Sequence, residues 1–271
     1  MITMLHLRTE TGVFIVSLPV TNANASSPFV VTDIQGVGPV NSTIFTSEYS
    51  PLDGGVYQGG RTGLRNIVLT VRYNPNYTEG ETVQTLRRRL YELFPPKGKV
   101  RLHFVDSEFP ETFIDGYVEA HEPAIFSRSP EVQISIVCPD PYFSNKEPAV
   151  YQGRTGTKFM NPYAGSSDSG FHFIMDLGQS IGWYEVDNGK GDILRYERSI
   201  SAGERSQIST ERSNKYVLLL RNGTWINDLQ QVVSGTLSMT IGADSEYFNI
   251  KVSSGASIPY TLTFTEKYIG L

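Results

Sequence analysis

The chain has 271 residues, of which 39% are apolar and 11% aromatic, so it is long enough for one large domain or two ordinary domains with proper cores. Lys and Arg number 23 against 28 Asp and Glu, which leaves a net charge of -5. The first 145 residues hold 11 basic and 15 acidic side chains and the remainder 12 and 13, so neither part has the basic excess that nucleic-acid binding requires.

The first part of the chain shows period-2 alternation interrupted by turn residues. Apolar side chains at every second position predict half-buried strands, and Gly or Pro clusters predict the turns between them. Strands are predicted over residues 11–20, 29–34, 66–73, 99–105, 112–124 and 131–138. Residues 51–60 are predicted to form a loop or a wide hairpin, because five glycines between residues 54 and 63 cost a regular element conformational entropy.

One helix is predicted, over residues 79–94. Thr78 and Glu81 have the spacing of a capping box, and two consecutive prolines end the pattern. An apolar stripe of 3.6-residue period runs along this helix at Val83, Leu86, Leu90, Leu93 and Phe94. We expect the stripe to pack on a sheet, and we expect the basic run 87–89 to be solvated rather than to bind phosphate.

The pattern changes abruptly near residue 145. Val132, Ile134, Ile136 and Cys138 share one strand face, and two prolines that cannot continue a β-ladder follow at once. We therefore predict two domains, 1–145 and 146–271, in a mainly β protein whose N-terminal β domain carries the packed helix. Cys138 is the only cysteine, which excludes an internal disulfide framework, and we predict that it is a buried small hydrophobe.

The second part of the chain has many short strand patterns separated by turns, which is typical of a β-sandwich or a barrel. After a connector at 144–151, strands are predicted over residues 171–177, 183–186, 193–196, 206–209, 216–220, 236–241, 247–252 and 258–268. Asn188-Gly189 and Asn222-Gly223 predict hairpin turns of type I′, because both residue types tolerate positive φ.

The sequence shows neither a targeting signal nor a membrane-spanning pattern. The N-terminus lacks the basic-then-apolar pattern of a signal peptide, and no run approaches the roughly 20 apolar residues of a membrane span. We expect a soluble protein made in a reducing cytoplasm, with no membrane insertion.

The motifs that resemble active sites are weak. Residues 55–62 have the spacing of a phosphate loop with Arg in place of Lys, but the segment that follows is a strand rather than the helix such a loop needs. The four histidines are scattered and predict no metal site. Four acidic residues lie around a predicted hairpin tip, where charged side chains are usually solvated: Asp106, Glu108, Glu111 and Asp115. We therefore predict no catalytic residue, no cofactor, no metal and no enzymatic activity.

Three aromatic residues leave a binding hypothesis open. Trp183, Tyr184 and Trp225 lie beside turns and are candidate glycan contacts, although a core position is favoured for them because buried aromatics dominate the energetics of sandwiches. On this alternative the C-terminal domain is a carbohydrate-binding adhesion module that recognises a host surface glycan. An enzyme of glycan degradation is the third alternative.

Several short motifs, weak alone, occur in an order and spacing that resemble one known family. They are Ile34-Gln-Gly36, Gly38-Pro39, Asp53-Gly54 and Tyr57, Arg65 to Leu69, Leu86-Arg87 with Leu90-Tyr91, Pro96-Lys-Gly98, Cys138 to Phe143, Asn161, Ala202 to Glu204, Ile208 to Thr210, Asn222-Gly223 and Tyr268 to Leu271. Together they resemble the distal tail proteins of long-tailed bacteriophages, over nearly the whole chain.

This resemblance implies a structural virion protein. The N-terminal β domain is expected to assemble into a homohexameric ring, and the C-terminal domain is expected to be a galectin-like β-sandwich on its outside. The implied partners are the tail tube protein, the tip or baseplate hub protein and a receptor-binding protein, with DNA passing through the lumen without specific binding. The implied location is the distal tail tip of the virion, after synthesis in the host cytoplasm.

The same resemblance, together with the glycine-rich segment, suggests where copies of the chain would touch. An extended segment can reach a neighbour and add a strand to an exposed sheet edge. Asp53, Tyr57, Arg61 and Arg65 are therefore the candidate residues of the oligomer interface.

Overall fold

The computed structural model describes residues 2–8, 14–20, 27–48, 53–75, 80–123 and 130–271. The chain divides into two compact units, Met1–Lys146 with Ile269–Leu271, and Glu147–Tyr268. The protein is mainly β, with one α-helix in the described residues, which confirms the predicted fold class. No helix in the described part of the chain combines the length and the apolar composition that crossing a membrane requires.

The described residues of the first unit form ten strands and the helix. Their bounds are β1 Ile2–Arg8, β2 Phe14–Pro19, β3 Phe29–Gln35, β4 Ser42–Glu48, β5 Gly55–Thr62, β6 Arg65–Tyr73, α1 Val83–Leu93, β7 Lys99–Asp106, β8 Thr112–Pro123, β9 Glu131–Cys138 and β10 Phe143–Asn145. Seven strands form an antiparallel sheet in the order β2-β1-β7-β8-β9-β6-β3. A parallel bridge between Val20 and Val31 joins the two outer strands, so the sheet closes on itself as a barrel.

The predicted alternation of the central strands is confirmed. On β6 and β9 every side chain of the predicted apolar faces is buried: Ile67, Leu69, Val71, Tyr73, Val132, Ile134, Ile136 and Cys138. These two strands pair antiparallel along their whole length, with Ile67 opposite Ile136 and Leu69 opposite Ile134. The barrel interior is therefore filled by the same period-2 pattern that is visible in the sequence.

The helix packs through its predicted stripe but begins later than predicted. Leu86, Leu90 and Phe94 are fully buried. Thr82, in an extended conformation, is the N-cap, and its Oγ1 accepts a hydrogen bond from the Thr85 amide at 3.2 Å. The predicted start at Glu79 is therefore wrong, because a competing cap lies one turn later. Thr78 and Glu79 themselves lie outside the described residues.

The second unit is a sandwich of two antiparallel sheets. The strands of these sheets are β11 Ala149–Arg154, β12 Phe159–Met160, β13 Phe171–Asp176, β14 Ile181–Asp187, β15 Ile193–Ile200, β16 Arg205–Ser209, β17 Tyr216–Arg221, β18 Thr224–Asn227, β19 Val232–Ser234, β20 Tyr247–Val252 and β21 Pro259–Phe264. A short strand outside both sheets, β22 Lys267–Tyr268, follows. One sheet has the order β11-β21-β13-β16-β17-β18 and the other β12-β20-β14-β15-β19. Aromatic rings meet between the sheets, with Phe171 5.1 Å from Phe248 and Phe173 5.9 Å from Tyr184.

Turn chemistry in the second unit follows the prediction at one of the two Asn-Gly pairs. Asn222 and Gly223 have φ of 52° and 76° and connect β17 to β18, as a type I′ turn requires. At the other pair, Gly189 has positive φ but Asn188 is fully buried and donates its side-chain amide to the Thr240 carbonyl at 2.8 Å. Asn188 therefore organises a longer loop rather than a tight turn.

Three further predictions of strand position were wrong. Residues 236–241 do not form a strand, although Met239 and Ile241 are buried and Ile241 makes an isolated bridge to Ser169. The predicted connector at 144–151 includes parts of β10 and β11. The glycine-rich residues 55–60 belong to a strand, β5, because their backbone pairs with β4 and does not depend on side-chain propensity.

Cys138 is buried in the barrel, as predicted. Burial raises the pKa of its thiol to about 12. Since the thiolate is the reactive form, the native protein is expected not to react with Ellman's reagent at pH 8, whereas the unfolded chain should release one equivalent of chromophore. Rapid reaction of the native protein, followed by absorbance, would contradict the burial of this residue.

Candidate assembly surface

A two-stranded hairpin, β4 with β5, forms a sheet of its own in the first unit. Its register runs from Ser42 opposite Thr62 to Glu48 opposite Gly55. Among the described residues, neither strand pairs with any strand of the barrel. A hairpin without a further strand or a packed face is only marginally stable in water, so this hairpin is expected to gain a partner.

Large apolar side chains of the hairpin are exposed to solvent. Tyr57 has 65% of its surface exposed, and Ile44, Phe45 and Val56 are exposed by about half or more. Cross-strand pairs lie on one face of a ribbon, so Ile44 with Gly60 marks one face and Phe45 with Gly59 marks the other. Both faces of the hairpin therefore carry apolar groups, a pattern that marks an interaction surface more often than a solvated loop.

The glycines shape one of these faces. A Cβ on Gly60 would lie 3.3 Å from the Cδ1 atom of Ile44 and 3.4 Å from the hydroxyl of Tyr57. The side chains of Ile44 and Tyr57 therefore both pack next to the Cα atom of Gly60. The register shifts between Phe45 and Thr46, which leaves Gln58 as an extra residue in β5. Gly60 therefore makes room for an apolar pair on the same face of the hairpin.

Arg65 lies at the base of the hairpin and is 99% buried, with a relative exposure of 1%. Its Nε donates to the Pro141 carbonyl at 2.6 Å, one terminal nitrogen donates to the carbonyls of Gly36 and Gly38, and the other to the Ile269 carbonyl at 2.5 Å. The guanidinium also lies 4.4 Å from the ring centroid of Phe143. Burial lowers the pKa of Arg65, and the carbonyl dipoles around it satisfy its donors.

This arrangement, the Arg65 cluster, joins segments that are far apart in the sequence. The accepting carbonyls belong to the glycine motif after β3, to the proline-rich segment after β9 and to the C-terminal tail. Leu271 adds a backbone hydrogen bond to Val37 at 3.0 Å, and Gly63 bonds to Asn41 at 3.3 Å at the foot of the hairpin. Four of the motifs quoted for the family resemblance therefore meet at one structural centre.

The first glycine of that motif is required by close packing. A Cβ on Gly36 would lie 2.0 Å from the carbonyl oxygen of Asn66, and its φ is +84°. Both conditions exclude other residues without a shift of the backbone. This glycine lets the chain after β3 approach β6 closely enough for its carbonyl to reach Arg65.

The predicted interface residues have different environments in this structure. Asp53, Tyr57 and Arg61 are exposed on or next to β5. The prediction that Arg65 belongs to the oligomer interface is corrected. Its guanidinium is buried and bonded within its own unit, so it has no surface that could contact another subunit. The exposed apolar residues Ile44, Phe45 and Val56 were not among the predicted interface residues, although the β-branched and aromatic run Thr43 to Thr46 has the composition of a strand.

Two of the four acidic residues near the predicted hairpin tip, Glu111 and Asp115, form ion pairs. Glu111 contacts Lys146 and His103, each at 2.8 Å, and Asp115 makes a bidentate contact with Arg101 at 2.6 and 2.8 Å. Burial alone would raise the pKa of Glu111, but Lys146 and His103 hold it below its ordinary value. These carboxylates have the environment of ion pairs rather than of a proton donor and acceptor facing a substrate.

The three candidate glycan residues do not form one platform. Tyr184 is fully buried, its ring stacks on Tyr196 at 4.7 Å, and it cannot contact a ligand in solution, so this assignment is corrected. Trp183 lies on β14 with the Arg195 guanidinium 4.3 Å above its ring. Trp225 is 42% exposed on β18, an outer strand of the other sheet.

Comparison with known proteins agrees with this architecture. The family model of the phage tail protein RIFT-related domain matches residues 20–155, half of the chain. A search of curated protein sequences finds no match.

Solved structures resemble the chain over its whole length. The SPP1 Dit (gp 19.1) protein, described as a paradigm of the hub adsorption apparatus in Gram-positive infecting phages, has a TM-score of 0.69 and 17% identity, covering 97% of this chain and 98% of that chain. Chains of the phage p2 baseplate in its activated conformation, with Sr and with Ca, have TM-scores of 0.53 and 0.51 at 10% identity. The match to the Sr-bound baseplate chain covers 99% of this chain and 99% of that chain. The match to the Ca-bound baseplate chain covers 100% of each.

At these identities the structural likeness concerns the fold. The sequence resemblance and the match of the family model are independent of it and agree with it. The chain therefore belongs to the family of phage tail proteins that carry the RIFT-related domain.

Proposed function

We propose that this phage tail protein is a structural hub that assembles into a homohexameric ring at the distal end of the tail, where it joins the tail tube to the tip or baseplate. The observation that carries the proposal is the β4–β5 hairpin, which exposes apolar side chains on both faces and pairs with no strand of its own barrel among the described residues. The proposed role is mechanical and needs no catalysis.

A ring of identical subunits requires two different complementary patches on each subunit. The hairpin supplies one of them. Ile44 and Tyr57 on one face and Phe45 and Val56 on the other would each bury apolar area against a neighbour. The outer backbone edges of the hairpin can also pair with a strand of the neighbour, which adds directional hydrogen bonds to the apolar contact.

The proposed position in the virion is supported by the similar proteins. One is described as a hub of an adsorption apparatus and two as parts of a baseplate. We propose that the ring contacts a tail tube protein on one side and a tip or receptor-binding protein on the other. The acidic excess of the first 145 residues would keep DNA from adhering to the lumen.

Purified full-length protein tests the proposal directly. Light scattering coupled to size exclusion is expected to give six times the chain mass of 30.2 kDa, and negative-stain images down the axis should show six-fold rings with an open centre. A species that stays monomeric at high concentration, and also when mixed with the adjoining tube and tip proteins, would overturn it.

A further inference from the structure

The second unit contains an edge cavity of about 430 Å³. It is lined by Gln152, Gly153, Arg154, Thr157, Lys158, Phe159 and Pro259. It lies where β11 and β12, an outer strand of each sheet, are joined by a short connection. A volume of this size falls in the range of small-molecule sites, roughly 300–1,000 Å³.

The wall of the edge cavity is held by backbone and side-chain hydrogen bonds. The buried Thr155 receives a bond from the Ile258 amide at 2.8 Å, donates from its hydroxyl to the Ala256 carbonyl, and donates its own amide to the Ile258 carbonyl at 2.9 Å. The next residue, Gly156, bonds to the Ile250 carbonyl at 2.7 Å. The connection that positions Arg154 and Lys158 is therefore organised before any ligand arrives.

Two cations at the edge cavity lack a carboxylate. Arg154 donates to the Ser257 carbonyl at 3.2 Å, and the Lys158 ammonium lies 3.7 Å from the ring centroid of Tyr247. Among the described residues neither forms an ion pair. Five other cations of this unit are paired with carboxylates, namely Lys190, Arg195, Arg198, Arg205 and Arg221, whereas in the described part of the chain Arg154 and Lys158 lie beside the same cavity without one. Two unpaired cations beside one cavity in an acidic protein favour an anionic ligand.

The rest of the lining suits a polyhydroxylated molecule. Phe159 and Pro259 supply apolar surface. The ring of Phe159 packs against the ring of Tyr151, with 5.2 Å between their centroids. Gln152 and Thr157 supply donors and acceptors for hydroxyl groups. An inorganic anion would contact neither the apolar surface of Phe159 and Pro259 nor the polar groups of Gln152 and Thr157.

We propose that the edge cavity binds an anionic sugar, a saccharide that carries a carboxylate or a phosphate. Arg154 and Lys158 bind the charged group, and the apolar wall contacts the ring of the sugar. None of the aromatic residues considered from the sequence takes part in this site. The proposal does not depend on ring assembly.

Titration of the full-length chain, followed by calorimetry or by NMR shifts, tests the proposal with four probes. Glucuronic acid and glucose 6-phosphate are expected to bind saturably, glucose is expected not to, and inorganic phosphate should bind at least about tenfold more weakly than glucose 6-phosphate. Failure of both charged sugars to saturate, or equal binding of glucose, would overturn the proposal. Inorganic phosphate that binds as tightly as glucose 6-phosphate would overturn its sugar component.

Charge-removing variants locate the site. Arg154→Gln and Lys158→Gln are each expected to weaken binding of the charged sugars by about tenfold or more, because each removes a charge-assisted hydrogen bond. Lys251→Gln, on β20 and outside the cavity lining, is the matched control and should bind as the native chain does. Thermal unfolding checks that all three variants are folded. Equal loss in the control, or no loss in the two cavity variants, would refute the assignment.

Discussion

Replacing residues 43–61 with an Asn-Gly turn is expected to yield a folded chain that no longer forms a ring. Ser42 and Thr62 are directly opposite in the hairpin register, so a two-residue turn can connect them without moving the barrel. The replacement removes all four exposed apolar residues of the hairpin and both of its backbone edges. Light scattering and negative-stain microscopy should show monomers, with the circular dichroism of a β protein retained.

Point substitutions test the apolar side chains of the hairpin without shortening the chain. Phe45→Ser and Tyr57→Ser each remove an exposed side chain from one face of the hairpin, and each should weaken association by about tenfold or more if burial contributes roughly 1.5–3 kcal/mol per side chain. Phe109→Ser is the matched control, because Phe109 is at least as exposed as Phe45 and Tyr57 but lies outside the hairpin. Intact rings from the chain without the hairpin would exclude the hairpin as the assembly element.

Arg65→Met is expected to destabilise the first unit by about 3–5 kcal/mol, because it removes a buried donor group that bonds to several backbone carbonyls. The substitution leaves four carbonyls without their donor, and each buried acceptor that stays unsatisfied costs about 1–3 kcal/mol. It also removes the contact with Phe143. Denaturant unfolding of the full chain, followed by far-UV circular dichroism, measures the change.

Two other substitutions provide the comparison for Arg65. Arg61→Met removes the same charge from an exposed position of the hairpin and should change stability by no more than about 0.5 kcal/mol. Arg65→Lys keeps the charge but lacks the planar fork of donors, so it should fall between Arg65→Met and the native chain. Equal stability of Arg65→Met and Arg61→Met would mean that the Arg65 cluster does not hold the unit together.

Sequence reasoning worked where burial follows a local period. The inward faces of β6 and β9 and the stripe of α1 are visible as alternation and as 3.6-residue spacing, because the residues that share a face are neighbours along the chain. The turn at Asn222 was predictable for the same reason, since its chemistry is contained in two adjacent residues.

The errors fall where distant pairing decides the outcome. The glycine-rich β5 forms a strand because β4 provides backbone partners, and β4 itself has no buried face that would show as alternation. The helix begins at Val83, after the Thr82 cap, because two candidate caps lie within about one turn and local composition does not separate them. Tyr184 and Trp225 are both aromatics beside turns, and only the packing of the two sheets buries one and exposes the other.

The fold class, the inward faces of the regular strands and helix, and the order of motifs that marks the family can all be read from local sequence patterns. These depend on short-range periodicity and on residue types that a single segment carries. The fold itself was needed to show that Arg65 bonds to three distant segments, that the hairpin pairs with no barrel strand among the described residues, and that Arg154 and Lys158 lie beside one cavity. Each of these depends on contacts between segments separated by many residues, and such contacts leave no local pattern from which they can be predicted.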